Sequence, residues 1–258
     1  MLNRFIITAA YPPILLVLLL ASSLSAQAQD SVHLMANTSP PYADVKLPNR
    51  GLALEIVEHV FSRTDYQADI TIENWSRAVE GASIGVYDGL AAAWYTPERG
   101  KDLLFSEPYL SSKLIIVKRR EDRGRFRQLT DLAGSRLGVR ADYAYGIDFS
   151  VIPGLILVEE NHLIQNLLNL MNGSVDFVIG DQRTMTMQLH EYMQDRITRF
   201  EVLPIDLPSP ARHVATSREL DGHEKIITAF NKALAEARRD GSYSAILKKW
   251  DTRYEGIE

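Results

Sequence analysis

The chain contains no cysteine among its 258 residues. That excludes disulfide staples, thiolate metal sites and a lipid-modified cysteine at a processed N-terminus, so stability has to come from packing. An excess of positive charge is lacking too. Lys and Arg number 28 against 33 Asp and Glu, a net charge of -5. Such a balance repels phosphate backbones, and nucleic acid is not an expected partner. The one dense basic run, Lys118, Arg119, Arg120, Arg123, Arg125 and Arg127, is interrupted by Glu121 and Asp122 and reads as a solvated connector face. Catalytic signatures are scarce: there is no His-Glu-x-x-His and no phosphate-cradling glycine loop. The six histidines are scattered, and His162 and His190, in predicted helices, read as solvated. No cofactor and no metal ion is expected.

Long hydrophobic runs are absent as well, apart from the aliphatic stretch Ile14 to Leu20. It is too short to span a bilayer, which needs roughly 20 apolar residues. Arg4 precedes it, and small residues lead to Ala26, Gln27 and Ala28, an A-x-A cleavage site. Residues 1–28 therefore read as a secretory signal peptide. The competing reading, an uncleaved anchor, lacks a stop-transfer flank. The mature chain, 29–258, would be exported and freely soluble, with enough residues for two modest cores.

What is present alternates short β-rich runs with helical periodicity, which implies α/β architecture with parallel sheets and crossover helices. Val32–Ala36, the run around Ile70 and Ile72, and Gly89–Trp94 read as strands, with helices at Leu52–Phe61 and Trp75–Ala82 between them. A second α/β unit follows. Its strands are Leu137–Val139, Leu155–Val158 and Asp176–Ile179, and its amphipathic helix carries Leu163, Leu167, Leu170 and Met171, closed by Gly173. A proline-rich stretch at Pro204, Pro208 and Pro210 suggests a return crossing, after which His213–Thr216 can add a strand to the first unit before two closing helices. The expected organisation is a hinged clamshell of two lobes, each a mostly parallel sheet flanked by helices: 29–118 with 208–258 as the first lobe and 119–207 as the second.

The continuous apolar run Gly89–Trp94 ends in Thr96, Pro97, Glu98 and Arg99, and Phe105, Ser106, Glu107, Pro108 and Tyr109 follow. Arg99 is thus placed in a turn at the carboxyl end of a buried strand, where open α/β sheets bind ligands. The alternative for an arginine there is a surface ion pair with Glu98 or Asp102. These two blocks resemble the signature of the bacterial extracellular solute-binding proteins of family 3. The resemblance extends through Pro40, Pro41 and Tyr42, through Gly51, Trp75, Asp88 and Gly89, and through Leu129, Asp131, Leu132, Gly134, Gly138 and Val139. It continues in Gly173, Val175, Asp176 and Asp181 and ends in the closing run Gly241 to Trp250.

That resemblance implies a type II periplasmic-binding-protein clamshell that captures a small polar solute, an amino acid, in the periplasm and delivers it as a monomer to the membrane permease of an ABC importer. It also implies that Arg99 grips the ligand's α-carboxylate and that Trp75 covers the ligand. A free amino acid needs one fixed cation and one fixed anion; a guanidinium fork can bond both carboxylate oxygens, and Asp181 can accept from the ammonium. Asp181 could equally cap the following helix. Tyr42 and Trp75 are candidate walls or core residues. The chain departs from the family pattern in two places. Trp94 stands two residues before Thr96, where a small hydroxyl is usual, and Arg140, Ala141, Asp142, Tyr143, Ala144, Tyr145 replace a glycine and threonines. Trp94 should narrow the site. Arg140 and Asp142 could select an acidic or a basic side chain or neutralise each other at the rim, and Tyr143 and Tyr145 could close over the ligand or pack on a loop. Two rivals remain: a cyclohexadienyl-dehydratase-like enzyme, with Glu107 or Asp181 as general acid, and a ligand-sensing module for a membrane receptor.

Overall fold

A computed structural model describes residues 30–251 of the chain. The signal-peptide reading of 1–28 lies outside the described residues. In chain order the elements are β1 (Asp30–Asn37), α1 (Leu52–Phe61), β2 (Tyr66–Glu73), α2 (Trp75–Ser83), β3 (Gly89–Trp94), α3 (Arg99–Asp102), β4 (Leu103–Phe105), β5 (Leu110–Ser111) and β6 (Leu114–Arg119). They continue with β7 (Arg136–Arg140), β8 (Ile156–Glu160), α4 (Leu163–Asn172), β9 (Phe177–Asp181), α5 (Gln182–Tyr192), β10 (Phe200–Val202), β11 (Ala211–Ser217), α6 (His223–Arg239) and α7 (Ser242–Asp251).

Two mixed sheets organise these elements. The first runs β2-β1-β3-β11-β4, with β5 also on β11, and the second runs β10-β6-β9-β7-β8. Within the first, β1 pairs in parallel with β2 and β3, and β11 returns antiparallel to β3. The expected lobe boundary at 118 is not where the sheets divide. Leu114–Lys118 pairs along β9 and belongs to the second sheet, so the chain crosses just after Ser111. The outward and return crossings touch there, the Ser112 amide donating to the Pro210 carbonyl at 2.9 Å.

The first core is built from α1, whose Leu54, Val57, Val60 and Phe61 are buried against β1 and α6. Gly51 lets α1 start there. Its φ of 113° falls in the left-handed region, and a Cβ would sit 2.4 Å from the Tyr42 carbonyl oxygen. The orphan amides at the start of α1 are met by the loop: Leu52 donates to the Pro41 carbonyl and Ala53 to that of Tyr42. Helix initiation thereby fixes Tyr42. At the far end of the chain α7 is anchored to α1 by the Trp250 Nε1 bond to Glu55 at 2.7 Å.

The second core packs α4, with Leu163, Leu167 and Leu170 buried, against β9 and α5. The basic run is not the solvated face that its composition suggests. Lys118 is buried against Glu201 at 3.0 Å, Arg119 bonds the Leu170 and Val175 carbonyls, and Arg120 the Thr198 carbonyl. These side chains strap the sheet, although Arg120 is itself exposed, as are Arg123, Arg125 and Arg127. Asp176 contributes a further clamp, meeting Arg136 at 2.8 Å and accepting from its backbone amide. Arg136 holds the Asp176 carboxyl below its ordinary pKa. A depressed carboxylate stabilises the fold above its unfolded pKa, and that contribution is lost as pH falls through its folded value. Asp176→Asn should therefore cost about 1 kcal/mol at neutral pH, in keeping with a partly exposed pair. Chemical denaturation should show the difference from wild type shrinking as pH drops below about 4.

Candidate functional site

The carboxyl ends of β1, β3, β7 and β9 converge where the two sheets face each other. They bring Asn37, Trp94, Arg140 and Asp181 together, and Trp75 arrives at the start of α2. Arg99 turns into this space and forms no pair with Glu98, which bonds Lys101 instead. Its Nη1 donates to the Trp94 carbonyl at 2.9 Å and its Nη2 to the Asp142 carbonyl of the other lobe at 2.6 Å, while the guanidinium lies 5.2 Å from the Trp75 ring. Burial lowers the Arg99 pKa, opposed by Tyr143 and Asp142. Thr96 shapes the turn, its hydroxyl accepting from the Arg99 amide at 3.1 Å.

Asp181 takes the capping role and also bonds across the cleft. One oxygen accepts from the Thr184 amide and caps α5, and the other accepts from the Tyr42 hydroxyl at 3.0 Å. Tyr42 is fully buried in the first core and reaches across the cleft with its hydroxyl. Burial foremost, with the Asp181 charge, pushes its pKa up to about 12, which keeps it a proton donor. Trp75 is buried in the first lobe and donates from Nε1 to the Asp142 carbonyl at 3.2 Å.

Arg140 and Asp142 do not neutralise each other. Arg140 is 8% exposed and bonds the Asn161 carbonyl, while the exposed Asp142 carboxylate accepts from the Ser76 hydroxyl. Tyr143 occupies the middle of the cleft. Its ring centroid lies 6.1 Å from that of Trp75 and 5.2 Å from that of Trp94, both edge-on, and the Arg140 guanidinium stands 4.3 Å from its centre. The Tyr143 hydroxyl accepts from Arg140 Nη1 at 2.5 Å; with its amide oxygen facing these donors, Asn37 accepts from the hydroxyl at 2.7 Å. Tyr145 packs in the second core and its hydroxyl accepts from the Arg140 amide. Beside Tyr143 remains a cavity of about 10 Å³, lined by Ser39, Arg140, Asp181, Thr184 and Arg212 among others. That volume is at the limit for a single water, so a larger solute needs the lobes to open or Tyr143 to move.

Several residues of this site carry no flag in the sequence reading, Asn37, Ser76 and Arg212 among them. Arg212 carries no local signal, since its short strand also holds the polar His213, Thr216 and Ser217. Conversely, Gly81 to Gly85 spells Gly-x-Ser-x-Gly, but Ser83 ends helix α2 and does not sit on a strand-to-helix elbow. Among the described residues no cluster of three or more His, Asp or Glu could hold a metal ion, and no helix is long and apolar enough to cross a membrane.

Two α/β lobes joined by paired crossings, meeting over charged groups at the carboxyl ends of their strands, make up the clamshell of the type II periplasmic binding proteins. The chain belongs to the bacterial extracellular solute-binding proteins, family 3, whose profile matches residues 32–253. It is 20% identical to the ABC transporter arginine-binding protein 1 of Escherichia coli K12, over 92% of this chain and 97% of that one. An ancestral arginine-binding protein bound to arginine superposes with a TM-score of 0.72 at 20% identity, covering 86% of this chain and 99% of that chain. A histidine kinase sensor domain superposes equally well, with a TM-score of 0.72 at 19% identity over 87% and 96% of the two chains. Fold likeness therefore does not separate transport from sensing.

Proposed function

We propose that this chain is a periplasmic solute-binding protein, exported through a cleaved signal peptide, that closes its lobes on an amino acid and presents the closed form to an ABC-type permease. The observation that carries this reading is that Arg99 and Asp181, from opposite lobes, each reach across the cleft, Arg99 to the Asp142 carbonyl and Asp181 to the Tyr42 hydroxyl. Arg99 is bonded only to carbonyls and is free to exchange the Asp142 carbonyl for a ligand carboxylate, while Asp181 can accept from an ammonium. Contacts to both lobes are what a ligand needs to shift the population toward closure. Tyr42, Trp75 and Trp94 supply aromatic walls, Thr96 shapes the Arg99 turn, and Arg140, Asp142 and Tyr143 form the second lobe's side of the site.

A binding role is favoured over catalysis because, of the two candidate acids, Glu107 is exposed, its amide donating to Asn231 of α6, and Asp181 has its oxygens engaged by Thr184 and Tyr42. The family's relatives carry binding-protein names that include arginine, which supports an amino-acid ligand. Thermal denaturation of residues 29–258 against the common amino acids tests the reading. A bound ligand at a hundredfold excess over its dissociation constant should add about 2.7 kcal/mol of stability. No shift with any of them would remove the amino-acid class.

A further inference from the structure

Arg212 lies on β11 at the base of the cleft and is only 3% exposed. It stands in register opposite Trp94 of β3. Its guanidinium stacks 3.7 Å from the Tyr42 ring centre and lies 5.5 Å from that of Trp94. Nε is buried with no acceptor, and among the described residues no carboxylate pairs with this side chain. An arginine on a central strand, desolvated and without an anion, is costly; buried charges are ordinarily paired. The neighbouring Trp94 Nε1 is also buried without an acceptor. Two unsatisfied donors thus occupy one register position between the hinge and the cavity.

The surrounding charge points the same way. Arg140, on the second lobe's side of the cavity that Arg212 lines, bonds only the Asn161 carbonyl, the Tyr143 hydroxyl and the Asn37 amide oxygen. Arg99 bonds only carbonyls. Against these arginines stand Asp181, with its oxygens engaged by Thr184 and Tyr42, and Asp142, turned outward to Ser76. The cleft carries more buried positive than negative charge and more donors than acceptors.

We propose that Arg212 is a specificity-determining residue for a second carboxylate, so that the ligand is an acidic amino acid: one carboxylate on Arg99, the ammonium on Asp181, and the side-chain carboxylate between Arg212 of the first lobe and Arg140 of the second. This rests on the amino-acid-binding reading above and narrows its ligand class. Bridging the two arginines would tie the extra anion to lobe closure, and neutral or basic side chains would leave both cations stranded.

Calorimetry of residues 29–258 with L-glutamate, L-aspartate, L-glutamine, L-asparagine, L-arginine and L-histidine tests it. An acidic amino acid should bind at least roughly 30-fold more tightly than its amide, the lower end of what a lost buried charge pair costs. Arg212→Gln should erase most of that preference, bringing the acid-to-amide ratio to within a few-fold of one. If Arg212→Gln does not fold, Arg212→Lys, which keeps the charge without the fork, should retain part of the preference, and the wild-type acid-to-amide ratio still decides. Equal or tighter binding of the amide or of arginine would overturn the proposal and leave the amino-acid reading standing. Binding of none of the six, nor of any other amino acid, would overturn both.

Discussion

Arg99→Ala should weaken binding of the cognate amino acid by roughly 30-fold to several thousandfold, the range for removing one member of a buried, hydrogen-bonded charge pair. Two functions of this side chain are lost together. The ligand carboxylate loses its bidentate partner, and the lobes lose the 2.6 Å bond from Arg99 to the Asp142 carbonyl. The second loss is a single bond from a charged donor and should contribute roughly 1.5 to 3 kcal/mol. The effect is therefore expected first in ligand affinity and to a smaller extent in the melting temperature of the protein alone. Arg99→Lys separates charge from geometry. A lysine keeps the positive charge but cannot bond two carboxylate oxygens as a fork and cannot reproduce simultaneous contacts to Trp94 and Asp142, so it should restore only a minor part of the affinity. Titration calorimetry on both variants measures this. Wild-type affinity in Arg99→Ala would remove the residue from the site.

The block that carries Arg99 was legible because its physics is local. An apolar run long enough for a buried strand, followed by a turn with Thr96 ahead of Arg99, places a guanidinium at a strand's carboxyl end whatever the rest of the chain does. The same block also holds a buttress that the sequence does not reveal as such: Tyr109, fully buried, donates to the Ala91 carbonyl and accepts on its own carbonyl from Tyr243. Helices α1 and α4 were legible for the same local reason, since their apolar faces repeat at helical spacing.

Non-local pairing is where the sequence falls short. Leu114–Val117 is apolar on both faces and says nothing about which sheet it joins; that is settled by its register with β9, formed from residues far along the chain. Lys118 to Arg120 read as surface because their partners, Glu201 and the carbonyls of 170, 175 and 198, come from other elements. Arg212 was invisible on the same grounds. A lone arginine after a proline-rich stretch acquires meaning only when β11 sets it beside Trp94 and over Tyr42. The departures from the family pattern at Trp94, Arg140 and Tyr143 were legible as changes of residue, but not the contact that unites them.

That contact leads to the second large effect. Tyr143 holds the centre of the cleft through edge-on packing with Trp75 and Trp94, a cation-π contact with Arg140 and hydroxyl bonds to Arg140 and Asn37. With about 10 Å³ left beside it, ligand and Tyr143 ring compete for one space and for one guanidinium. Competition of this kind multiplies the intrinsic affinity by the fraction of molecules with the site open. Tyr143→Ala removes the competitor and releases Arg140, so the apparent affinity should tighten by about tenfold or more, while the protein without added ligand melts at lower temperature because the lobes lose their central contact. Tyr143→Phe deletes only the hydroxyl bonds, worth roughly 1.5 to 3 kcal/mol where a charged donor is involved. It should lie between wild type and Tyr143→Ala in both measurements. If Tyr143 were instead a wall that closes over the ligand, both substitutions would weaken binding, and calorimetry of the two variants against the cognate amino acid distinguishes the cases by sign alone.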